Sequence, residues 1–242
     1  MAATLAASSM ATVLYSTEEL SISEQRLRAD LAHESAVEWV IHDILANGSR
    51  SPWIGDGVVI QEVKIAERLV SVSVQQTTGL VDPVTSDPQV LNRLLKRLTQ
   101  VPSSQSSSVE RSAISIRPAT YADLQAMLGL DQEGFACLYP HVTLYSGRAE
   151  PEGRYASSYL ADLLGLTSDS LGGRSILTDS PAHTVVGRTF RVNARSSSEQ
   201  GATAGLSVEV TITGQIDPSH LVRSRQRIAA TADKAMKCGG PT

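Results

Sequence analysis

Residues 2–46 contain neither glycine nor proline, and the run stops at Asn47-Gly48-Ser49. That absence limits the fold more than any other feature. Forty-odd residues without a breaker, closed by an Asn-Gly stop, predict one long helix. At 1.5 Å per residue such a helix reaches roughly 60–70 Å, far beyond a small domain. Its two halves differ. Residues 1–15 are mostly small or apolar and carry no charged side chain. They are too short to span a bilayer, which takes ~20 apolar residues. They also lack the basic segment that opens a signal peptide. From Leu20 onward, Leu27, Leu31, Val37, Ile41, Ile44 and Leu45 fall near one helical face, while Glu24, Arg26, Arg28, Asp30 and Glu38 crowd the other positions. A helix apolar at its start and amphipathic later suits a membrane or bundle stem joined to a packed base.

The remainder alternates strands and short helices. Gly57 to Val63 and Arg68 to Gln75 read as a hairpin around a turn at Lys64 to Glu67. Asp87 and Pro88 open a helix running to Leu98, as N-cap and first helical residue. The run Pro102 to Ser108 is a Ser-rich linker. Thr120 caps a helix over Tyr121 to Leu128, Gly129 closes it, and a second helix covers Gln132 to Leu138. Pro140 ends that helix, and His141 to Tyr145 leaves as a strand. A further helix fits Ala156 to Leu164. Thr184 to Asn193 and Leu206 to Thr213 alternate as strands around a polar hairpin loop at Arg195 to Gly201, and His220 to Arg227 forms a third. The fold class is therefore α+β: a long N-terminal stem helix packed on an antiparallel sheet, with a small helix-hairpin-helix-like module inserted between strands. The chain divides into the stem helix (1–46), first strands with short helix and linker (47–118), helical module (119–167), β-rich part (168–228) and tail (229–242).

Chemistry-bearing motifs are weak throughout. The net charge of −4 argues against a nucleic-acid binder. His33-Glu34 lacks the second histidine four residues on that a zinc helix needs; position 37 is Val, so these read as solvated polar positions on the stem. Asp179, Ser180 and His183 are close in sequence, but no Gly-x-Ser-x-Gly turn presents the serine, and Pro181 points to a loop. Gly172-Gly173 has neither the strand–loop–helix frame nor the lysine of a phosphate loop. Asp131 reads as a helix cap rather than part of a calcium loop. Asp82 and Asp87 would bind calcium only if the fold brought further oxygens near, so no cofactor is assigned. The pair of short helices could hold a DNA phosphate at a helix N-terminus, but Asp131 and Glu133 would repel it. Cys137 and Cys238 sit in contexts too unlike for a disulfide framework or a zinc site, and a single bond between them stays open.

The order of these pieces resembles general secretion pathway protein K, the K-type minor pseudopilin of type II secretion. The likeness is carried by Glu24-Gln25-Arg26-Leu27 through Val40 in the stem, Val70 to Gln75 followed by Gly79-Leu80-Val81-Asp82, Ala119 to Leu124, Leu138 to Gly147, Tyr155 to Leu164, and Gly187-Arg188-Thr189-Phe190-Arg191-Val192. It covers roughly residues 15 to 228 by the order of segments, with no single diagnostic motif. The family begins with a basic leader and a full apolar helix and carries a larger helical insertion, so the resemblance implies a start partway into that helix and a reduced insertion. It implies a structural subunit, not an enzyme, at the pseudopilus tip. Its partners would be the I- and J-type minor pseudopilins, with membrane contact through the N-terminal helix, a periplasmic head at the bacterial inner membrane, and no nucleic acid. Leu20, Leu27, Leu31, Val37 and Ile41 are the expected packing residues, although from Leu27 onward packing against the chain's own sheet explains them better. The rival readings are a helix-hairpin-helix DNA-binding protein and, third, a periplasmic hydrolase.

Overall fold

The computed structural model describes residues 2–98, 117–166, 185–197, 203–228 and 238. Helix α1 runs unbroken over Ala2–Asn47 and ends in a 3-10 turn at Gly48–Arg50. Strands β1 (Val58–Ile65) and β2 (Arg68–Gln76) follow, then helices α2 (Pro88–Leu98), α3 (Tyr121–Leu128), α4 (Gln132–Leu138) and α5 (Ser158–Leu164). Strands β3 (Thr189–Ser197), β4 (Thr203–Ile212) and β5 (His220–Ile228) complete one five-stranded sheet in the order β1-β2-β3-β4-β5, antiparallel throughout. The architecture is the α+β one expected, with the helical module inserted between β2 and β3.

The sheet is covered differently on its two faces. One face presents Val70, Val72, Val74, Phe190, Val192, Ala194, Leu206, Val208, Val210 and Ile212, the period-2 apolar set of β2–β4. Against it lie Ala32, Ala36, Val37, Val40, Ile41 and Ile44 of α1. Each fully buried Val or Ile contributes about 1.5–3 kcal/mol, so this half of α1 is held by packing rather than helix propensity. The other face carries Arg191, Ser207 and Glu209, all buried beneath the helical module. The module has its own core of Leu91, Leu94, Leu124, Leu138, Leu144 and Leu160. Among the described residues no helix is long and apolar enough to cross a membrane.

Local capping explains the module. Thr120 and Asp123 form a reciprocal capping box, Gly129 closes α3 in the left-handed region at φ 62°, and the Asp131 carboxylate takes the Gly134 N–H to start α4. Gly79 is required for a different reason: a Cβ there would lie 2.1 Å from the Tyr155 carbonyl carbon and oxygen.

Several expectations need correction. His141–Tyr145 is not a strand; Tyr139–His141 forms a 3-10 turn and Val142 makes only a single parallel bridge to Val81. The Val142 carbonyl, which a strand neighbour would use, accepts from Arg191 instead. The polar residues Arg195 and Ser196 lie in the β3–β4 ladder rather than in a loop, because buried Ser196 meets His33 of α1. The first hairpin turn is tighter than expected, with Ile65 paired directly to Arg68 and Ala66 at φ 52°. His33 is buried, not solvated. The chain's two cysteines form one disulfide, Cys137–Cys238, tying α4 to a residue beyond the last strand.

Candidate functional site

The residues expected to pack on partners separate into two groups. Val37 and Ile41 are buried in the main core and are not available to a partner. Leu20, Leu27 and Leu31 are exposed, at 69%, 59% and 54%. At 100° per residue these three lie within roughly 40° of one another, and roughly 160° around the helix from the centre of the buried row through Ala36, Val40 and Ile44. The apolar positions of α1 therefore form two rows rather than one. One row is spent on the sheet, where small Ala32 and Ala36 permit close approach. The other faces away from it and extends along the stem beyond the sheet. From Ile22 to Arg28 every residue is exposed, and apart from Leu27 and Ile22 these are polar, with Arg28 paired to Glu24.

A second cluster, not foreseen from the sequence, lies between the sheet and the module. Arg191 and Glu209 face each other across the β3–β4 ladder. The guanidinium binds Glu209 through Nε at 3.1 Å and Nη2 at 2.7 Å, and donates from Nη1 to the Tyr139 carbonyl at 2.8 Å. The Tyr121 hydroxyl accepts from Arg191 and donates to the Glu209 carboxylate, 2.8 Å from each oxygen. Thr143 Oγ1 donates to Glu209 at 3.0 Å, and the Tyr139 hydroxyl donates to Ser207 at 2.8 Å. The Tyr139 ring also stacks under the guanidinium, 4.5 Å from its centroid.

Burial opposes the charge of Arg191, but Tyr121, Glu209 and Tyr139 outweigh it and hold the proton more tightly than usual. Burial likewise raises the Tyr121 and Tyr139 hydroxyls above the ordinary phenol range. This is a desolvated ion pair with its hydrogen-bonding groups satisfied. Its chemistry is that of a clamp, because the side chains are directed at one another and at backbone carbonyls. Beside it, burial and then Arg191 lower the His141 imidazole to about 4, so it is neutral near pH 7.

The other sequence candidates have structural partners. Asp82 is fully buried and accepts from the Val84 and Gly147 amides, so its carboxylate ties two loops together. Asp87 caps α2 at the Gln89 amide. No group of three or more metal-ligating side chains occurs among the described residues. The α3–α4 pair carries no Lys or Arg between positions 118 and 147, and Asp131 already occupies an α4 amide that a phosphate would use. Gly172, Gly173, Asp179, Ser180 and His183 lie outside the described residues. A hollow of about 260 Å³ sits where β4 and β5 meet the stem, beside Asp30, His33, Glu34, Arg225 and Arg227. Arg227 pairs with Asp30 at 2.7 Å and Arg225 pairs with Glu34, which fastens the outer strand to α1.

The signal for the clamp was present but ambiguous. Arg191 and Glu209 each stand between apolar neighbours on central strands, where an exposed charge and a buried pair give the same alternation. Neither a protein-family model, nor a curated protein, nor a solved structure matches this chain.

Proposed function

We propose that this chain is a structural assembly subunit of the K-type minor pseudopilin kind, acting at the tip of a type II secretion pseudopilus with I- and J-type minor pseudopilins. The observation that carries the reading is the second apolar row of α1. Leu20, Leu27 and Leu31 are exposed on a stem that reaches past its own head, on the side turned from the sheet. A helix with one apolar row buried in cis and another left outward is built to pack beside other helices. The head supports the same reading by its order: stem, hairpin, helical module, then three strands, as in the resemblance. In this reading the head stands in the periplasm and the stem points toward the inner membrane. The Cys137–Cys238 bond suits such an oxidising compartment. Catalysis is not part of the proposal, because the Arg191–Glu209 cluster is consumed in joining the module to the sheet. Co-expression with matched I- and J-type pseudopilins is the test. A ternary complex on size-exclusion chromatography supports the reading, and persistent failure across matched partners removes it.

A further inference from the structure

His33 stands where α1 first meets the sheet. It and Ala32 are the first buried side chains described along the helix, and Leu31 just before them is exposed. The imidazole is 1% exposed, with Nε2 2.8 Å from Ser196 Oγ of β3. Its charged surroundings come from three elements. On α1, Asp30 and Glu34 flank it, already paired with Arg227 and Arg225 of β5. From β2, Arg68 acts on the ring with like charge when the ring is protonated. Strands β3 and β4 present Ser196, Gly205 and Leu206 here.

We propose that His33 is an acid-sensitive latch: neutral, it holds the first docked turn of the stem to the sheet, and protonated, it releases that turn. An imidazolium at this position would be stripped of water, and both nearby carboxylates are committed to arginines. It would also sit in the field of Arg68. Burial lowers the proton affinity of His33 most; Asp30 raises it and Arg68 lowers it, and the net is downward. A released turn exposes the ring, which then takes up a proton with an ordinary pKa of about 6.5. Release is therefore favoured as pH falls below that value, by at most about tenfold per pH unit for one proton, and the gain ends at the lower pKa of the docked state. The latch sets how firmly the projecting stem follows the head, and it does not rest on the assembly reading.

Amide hydrogen exchange on the whole chain, corrected for intrinsic rates and followed from about pH 7.5 to about 5, tests this. Protection at residues 33–37 should fall several-fold below about pH 6.5. Protection in β3 and β4 should hold. Emission from the chain's two tryptophans should also hold, since Trp39 of α1 and Trp53, beyond the helix end, meet edge-to-face with ring centroids 5.9 Å apart and report whether the helix stays docked. H33Q, which can keep a hydrogen bond to Ser196 but does not titrate, should remove the fall. R68Q should make it smaller, because the docked imidazole would then accept a proton more readily. A flat profile in the wild type, or an unchanged fall in H33Q, overturns the proposal. If H33Q does not fold, R68Q decides, and a fall equal to or larger than the wild type overturns it.

Discussion

Arg191 joins more of the molecule than any other side chain described. It touches the neighbouring strand through Glu209, the first residue of α3 through Tyr121, and the segment after α4 through the Tyr139 and Val142 carbonyls. Breaking one member of a buried ion pair leaves the other charge without compensation, which typically costs about 3–5 kcal/mol. R191M is expected to lower stability by that amount in denaturant titration, and E209M similarly. The double variant should lose less than the sum of the two, since neither charge is then stranded. His141 gives a second prediction at this scale. Its folded-state value of about 4 lies below the ordinary 6.5, so the unfolded chain binds the proton more readily between those values. The stability this histidine contributes is fully present above about pH 6.5 and is lost as pH falls toward about 4, on the order of 3 kcal/mol at most. Thermal melts across that window should show the decline, and H141N should reduce it. An H141N profile parallel to the wild type would contradict this assignment.

Among the elements, the helical module is held to the sheet by the clamp, by Tyr139 to Ser207, by Tyr145 to the Arg223 carbonyl, and by the disulfide. The disulfide joins residues 101 apart, and closing a loop of that length stabilises by up to about 4.7 kcal/mol through the unfolded chain. Reductant should lower the unfolding midpoint of the wild type and leave C137S unmoved, with C137S about 2–5 kcal/mol less stable than the oxidised protein. A wild-type midpoint indifferent to reductant would mean that the bond does not form in solution. What could be read from the sequence follows from the range of each interaction. The long helix, the Thr120 box, the Gly129 stop and the Asp131 cap are local, decided within a few residues. The disulfide and the clamp are not: Tyr121 and Arg191 are 70 residues apart. The stem shows both cases at once. Its length was legible, but a single apolar face through Leu27, Leu31, Val37 and Ile41 was expected where the fold makes two. Helical spacing marks which positions are apolar and leaves open which way a sheet will approach; here the sheet took Ala32, His33, Ala36 and Val40, two of them small and one polar.

At the scale of the whole molecule, the chain is a head with two cores on one sheet and a stem that outruns it. The 46 residues of α1 extend roughly 70 Å at 1.5 Å per residue, and among its described side chains the first buried one is Ala32. From Leu20 to Leu31, about 18 Å of helix, the described apolar row Leu20, Leu27 and Leu31 is not covered by the head. The assembly reading depends on that row. The direct test is the double variant L27E/L31E, purified with the wild type and mixed with matched I- and J-type minor pseudopilins. Both side chains are exposed in the isolated chain, so the variant should melt as the wild type does, within about 0.5 kcal/mol. The account predicts a ternary complex with the wild type and binding weakened by about tenfold or more in the variant. A variant that assembles as tightly as the wild type, or a wild type that assembles with none of its matched partners, would contradict it.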